Sequence, residues 1–136
     1  MNREGEIPAK ENFEAIIKCT SSLKEGLITE KNREEIENSG TCREIMEFTK
    51  TLYYNNWLIN TRWQDWTSEA EFYFGNPDRI STAGIETLRR ILTVHVRIDR
   101  LFPGEIADLI SRGYILLILE RINELYATEY SDIRDN

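Results

Sequence analysis

A chain of 136 residues, 40% of them hydrophobic, is one domain's worth and can bury a real core. Its 24 acidic residues outnumber the 17 basic ones, and the net charge of −7 argues against general affinity for nucleic acid or for an anionic membrane. Nothing in it approaches the roughly twenty apolar residues of a spanning helix, and its two cysteines form neither a metal nor a redox motif.

The polar start MNREGEIPAKEN lacks the apolar centre of a signal peptide. Residues 1 to 9, like 128 to 136, are expected to fray. A first helix is expected from about Ala9 to Glu25, with Phe13, Ile16, Ile17, Thr20 and Leu23 on one face and Gly26 as its stop. Residues 28 to 40 are highly charged around a lone Ile36 and read as a solvated loop or a short exposed helix. Thr41 and Glu44 have the spacing of a capping box, which opens a second helix carrying Ile45, Met46, Phe48, Leu52 and Tyr53. Cys42, just after that cap, could have its thiol pKa lowered by the helix N-terminus, or could be a small buried residue.

Asn55 and Asn56 end this helix, and Trp57-Leu58-Ile59 reads as an extended apolar run. Thr61 and Gln64 repeat the capping-box spacing ahead of a stripe of Trp63, Trp66, Ala70, Tyr73 and Phe74, which Gly75-Asn-Pro77 terminates. Ser81 or Thr82 can cap a long helix from near Ala83, with Ile85, Leu88, Ile91, Leu92, Val96 and Ile98 at helical spacing. His95 falls on the apolar arc with Asp99 four residues on, and Arg89, Arg90, Arg97 and Arg100 make a stripe on the other face. Pro103 and Gly104 break the pattern, a short helix follows, and Gly113 separates it from a last helix whose start, Tyr114 to Leu119, is apolar all round. The sum is an all-α single domain, a compact bundle of about five main helices with short loops.

Every lysine lies at or before Lys50, and beyond it the basic residues are all arginine. Arginine suits planar, partly buried pairing, so structured ion pairs are expected in the second half. Arg97, Asp99 and Arg100 are the sharpest cluster. One reading is a structural knot, with Asp99 tethering the helix end and the arginines paired to Glu105, Asp108, Glu120 or Glu124. The other is a site for an anion or carboxylate. His95 with Asp99 could act as a general base. No serine or cysteine is placed as its nucleophile, and a satisfied core histidine is the plainer reading. A single histidine also offers no zinc site, so neither a metal nor a cofactor is expected. Trp57, Trp63 and Trp66 are a candidate aromatic pocket or core packing, with Trp57 the one expected at the surface. Leu116 and Leu117 are a candidate seam for a homodimer or partner, or are buried.

The pattern W-x-x-W (Trp63, Trp66), E-T-L-x-x-x-L (Glu86 to Leu92), V-R-x-D-R (Val96 to Arg100) and G-x-x-x-x-I-L-x-R-I (Gly113 to Ile122) resembles a small prokaryotic family, domain of unknown function 6508, over roughly Tyr53 to Leu125. The resemblance implies an α-helical fold and points at these residues, and it brings no established activity. The functional expectation is therefore a cytoplasmic, non-enzymatic interaction or regulatory module that binds a protein partner or itself. The alternative is a binder of a small anionic ligand, or an enzyme, built on the Arg/His/Asp cluster. A third reading, a helix-turn-helix-like nucleic-acid binder from Glu105 onward, is disfavoured by charge, because the second helix would present Leu116, Leu117, Glu120 and Glu124 outward.

Overall fold

The computed structural model describes residues 7–26, 29–60 and 62–130. Among them lie eight α-helices: α1 (Lys10–Ile17), α2 (Cys19–Gly26), α3 (Glu30–Ser39), α4 (Arg43–Tyr54), α5 (Thr67–Gly75), α6 (Ile85–Leu101), α7 (Glu105–Ser111) and α8 (Tyr114–Tyr130). Two 3-10 segments, Trp63–Trp66 and Pro77–Thr82, complete the chain, and no strand occurs among the described residues. The all-α expectation holds, with eight helices in place of about five.

The extra helices have local causes. The first expected helix breaks at Lys18 into α1 and α2. The charged stretch is helical as α3 because its ends are well capped. Thr29 Oγ1 accepts the Asn32 N–H at 3.2 Å, and Gly40 takes the left-handed conformation at φ 82°. Gly40 is also irreplaceable on space, since a Cβ there would lie 2.7 Å from the Pro103 carbonyl carbon. The α3–α4 turn is thereby pressed onto the α6–α7 turn.

Two expected caps do not form, and a third falls on a residue outside the described ones. Cys42 rather than Thr41 occupies the N-cap of α4 and makes no side-chain cap bond, while Glu44 accepts from Asn32 Nδ2 at 3.0 Å instead. Thr61 lies outside the described residues, and the Trp63–Trp66 segment has no side-chain cap. Ser81 and Thr82 end the second 3-10 segment, bonding back to the Asp78 and Arg79 carbonyls, and Gly84 precedes α6. The expected fraying falls mainly on residues outside the description, but 128–130 are helical and the Tyr130 ring packs 5.8 Å from Phe13.

Helix α6 is the axis of the molecule. Every residue from Leu88 to Val96 except the half-buried Arg90 is buried, polar ones included. The chain between α4 and α5 is sewn along one side of it. Arg89 Nε donates to the Asn56 carbonyl at 2.9 Å, and Thr93 Oγ1 accepts the Ile59 N–H at 3.0 Å. Asn56 adopts φ 63°, a left-handed turn that asparagine tolerates. Trp57, Leu58 and Ile59 are consequently buried. Trp57 is fully enclosed, donates its indole N–H to the Asn12 carbonyl at 2.9 Å, and meets Phe13 edge-on at 5.2 Å. That overturns the expectation of a surface tryptophan: one hydrogen bond satisfies its polar atom, and the rest of the ring is core. No helix among the described residues is long and apolar enough to cross a membrane.

Candidate functional site: a cationic cleft between α4 and α6

At about 100° per residue, Arg89, Arg90, Arg97 and Arg100 share an arc of about 100° on α6. The first half of that face lies under the 56–59 segment and α5. The second half is open. Between it and α4 lies a cleft of about 530 Å³, large enough for a small molecule.

Lys50, Tyr53 and Tyr54 come to it from α4, and Arg97, Asp99 and Arg100 from α6. Leu58 and Val96 line its inner side, and Ser39, Thr41 and Pro103 bring the two adjacent turns to it. Lys50 and Tyr53 fall on one face of α4 through their i, i+3 spacing. Leu58 is held by the bonds its neighbours make to α6. The Ser39–Thr41 turn is fixed by the contact of Gly40 with Pro103.

The expected cluster divides here. Asp99 is structural: its Oδ1 accepts the backbone N–H groups of Gly104 and Ile106, each at 3.1 Å. It thus serves the start of α7, where Gly104 has no side chain to act as a cap. The tethering role read from the sequence is what the carboxylate does. The arginines do not follow it. Neither Arg97 nor Arg100 forms an ion pair or hydrogen bond with a described residue, so the structural knot does not form. Burial, and then the neighbouring charge of Arg100, lower the pKa of Arg97. A guanidinium nevertheless stays charged. The cleft therefore holds three cations against one carboxylate that is already engaged by amides.

The other candidates lie elsewhere. His95 does not pair with Asp99. Its Nδ1 is 2.8 Å from Glu105 Oε2, because the backbone of the α6–α7 turn takes Asp99 and brings Glu105 over the histidine. His95 is buried and faces away from the cationic cleft. Trp63 and Trp66 are half-buried in their 3-10 turn, and neither lines the cleft, so the three tryptophans form no common pocket there. The aromatic groups that do line it are Tyr53 and Tyr54, stacked edge to face at 5.1 Å. Leu116 and Leu117 diverge. Leu116 is half-buried against the core, while Leu117 lies in the groove by Pro77 and Ile80.

Arg89 was the residue the sequence concealed. It reads as part of a surface stripe, yet it is fully buried, with Nη1 2.6 Å from Glu86 Oε1. Burial raises the thiol pKa of both Cys42 and Cys19, so the helix terminus does not activate Cys42. Among the described residues, no group of three or more His, Cys, Asp or Glu side chains is placed to hold a metal.

A family model described as a family of unknown function, DUF6508, matches residues 10–128. The chain belongs to this family. The match extends well before the Tyr53 boundary of the sequence resemblance. The DUF6508 match thus takes in both walls of the cleft, α4 as well as α6. Among curated proteins and among solved structures, none matches the chain.

Proposed function

We propose that this protein is a binding module whose α4–α6 cleft receives the anionic group of a small ligand, a phosphate or carboxylate carried on an aromatic or apolar body. One observation carries the reading: Arg97 and Arg100 stand side by side at a cleft with no counter-ion from the described residues. Two adjacent unpaired guanidinium groups repel each other, and a bidentate oxyanion relieves them both. Lys50 adds a third charge, and Tyr53 and Tyr54 offer ring surface for the ligand's body. A cytoplasmic setting belongs to this proposal and is supported by two free thiols.

Isothermal titration with phenyl phosphate tests it. The wild-type protein should bind saturably, and Arg97→Gln/Arg100→Gln should weaken binding by more than about tenfold, since a charge-assisted hydrogen bond contributes roughly 1.5–3 kcal/mol. No binding by the wild type, or equal binding by the variant, would sink the proposal.

Exposed apolar side chains of α4 and of the end of α6 favour a second reading. Met46, Tyr54, Leu101 and Phe102 are 54%, 70%, 63% and 71% exposed, and Met, Tyr and Phe are residue types enriched at protein interfaces. In that reading the anion is a carboxylate on a partner protein, and the chain is an interaction module. The same titration separates the two, because a glutamate-rich peptide would then bind where phenyl phosphate does not.

A further inference from the structure

The cationic cleft is not lined by cations alone, and its other polar groups set a further condition on the ligand. Asp99 uses only one oxygen on the fold: Oδ1 accepts the Gly104 and Ile106 N–H groups. Oδ2 has no hydrogen-bond partner among the described residues, and it is open to solvent where Asp99 lines the cleft. Two hydroxyls that line the cleft are acceptors as well. Ser39 Oγ donates to the Glu35 carbonyl and Thr49 Oγ1 to the Ile45 carbonyl, each at 2.8 Å. A hydroxyl has one proton, so each of these presents only lone pairs to a ligand. Ser39 and Asp99 lie at the same end of the cleft, because Gly40 is pressed against Pro103 and Asp99 holds the Gly104 amide.

Lys50, Arg97 and Arg100 are the converse, since they donate and cannot accept. A bare oxyanion therefore answers half of the cleft. It brings acceptors to the cations and a like charge to Asp99 Oδ2. The other half calls for a donor, either an ammonium or a hydroxyl, and charge decides between them. An ammonium would add a fourth cation to a cleft that already has three against one carboxylate. A hydroxyl donates to the carboxylate oxygen without adding charge. Arg97, Asp99 and Arg100 leave a single turn of α6, within about 4.5 Å along its axis. The hydroxyl thus belongs beside the oxyanion and not at the far end of the ligand.

We infer that the ligand of the cleft is a hydroxy acid, an oxyanion with a free hydroxyl on the neighbouring carbon. Arg97 and Arg100 take the oxyanion, and Asp99 Oδ2 accepts the hydroxyl proton. The inference rests on the anion reading of the cleft and names the ligand class within it. Asp99 then has two roles, tethering α7 through Oδ1 and selecting the ligand through Oδ2.

The test is isothermal titration with four ligands that share one body: 3-phenylpropanoate, each enantiomer of 3-phenyllactate, the methyl ethers of those enantiomers, and phenylalanine. One enantiomer of 3-phenyllactate should bind about fivefold more tightly than 3-phenylpropanoate. Its methyl ether, which accepts but cannot donate, should bind no more tightly than 3-phenylpropanoate, and phenylalanine should bind more weakly than the hydroxy acid. In Asp99→Asn the amide oxygen still serves the α7 start while the outward atom becomes a donor, so the hydroxy acid should lose its advantage over the ether. Saturable binding of 3-phenylpropanoate by that variant shows that the cleft is intact. If 3-phenylpropanoate binds the wild type and the hydroxyl adds nothing, the hydroxy-acid inference alone is overturned. Tighter binding of phenylalanine, or an advantage over the ether that persists in Asp99→Asn, overturns it too. If none of the four binds, the anion reading falls and this inference with it.

Discussion

Helix α6 carries four arginines on one face, and its two ends treat them oppositely. Near the start, Arg89 is fully buried and bonded to Glu86 and the Asn56 carbonyl, and Arg90 forms a two-pronged bridge to Glu69 at 2.7 and 3.0 Å. Near the end, Arg97 and Arg100 have no such partner among the described residues. The residue type and helix face are the same; what differs is the cover. The 56–59 segment and α5 close over the first half, and burying a cation there requires compensation. The second half is left open as the cleft. A helix that has acquired partners for its buried cations and none for its cleft cations is one in which the two pairs serve different ends.

The contrast breaks if the first pair proves dispensable. Arg89→Ala should cost about 3 kcal/mol in urea denaturation. Glu86 is half-exposed, so the lost ion pair is a minor part. Most of the loss comes from the cavity and from the stranded Asn56 carbonyl, which releases the segment lining the cleft. A loss under about 1 kcal/mol would mean that Arg89 does not secure that segment. Asp99 sharpens the contrast from within the cluster. Asp99→Ala removes the acceptor of two amides at the start of α7 and should cost about 1–2 kcal/mol, the range for a lost cap. An unchanged midpoint would place Asp99 with the arginines rather than with the scaffold.

Much of the fold could be read from the residues. Helical spacing of Leu88, Ile91, Leu92 and Val96 gave α6, and Pro103, Gly104 and Gly113 marked the breaks around α7. Helix α3 was obscured because apolar periodicity cannot report a helix with one apolar residue, although its two caps, Thr29 and Gly40, were in view. The cluster Arg97, Asp99, Arg100 was visible as a cluster, but its division was not. Asp99 is drawn away by backbone groups, and a sequence shows no sign of which N–H will lack a partner. For the same reason His95 pointed to Asp99 by spacing, when the turn delivers Glu105. Arg89 could not be told from Arg97, since the cover over it comes from residues 33 positions away.

The most direct measurement is the smallest expected effect. Arg97→Gln/Arg100→Gln, unfolded in urea without any ligand beside the wild type, should have a stability within about 0.5 kcal/mol of it, or higher, because two unpaired like charges are relieved. A loss of more than about 1 kcal/mol with an unchanged m-value would show that the two arginines hold the fold together, and the account of the cleft as an anion site would be contradicted.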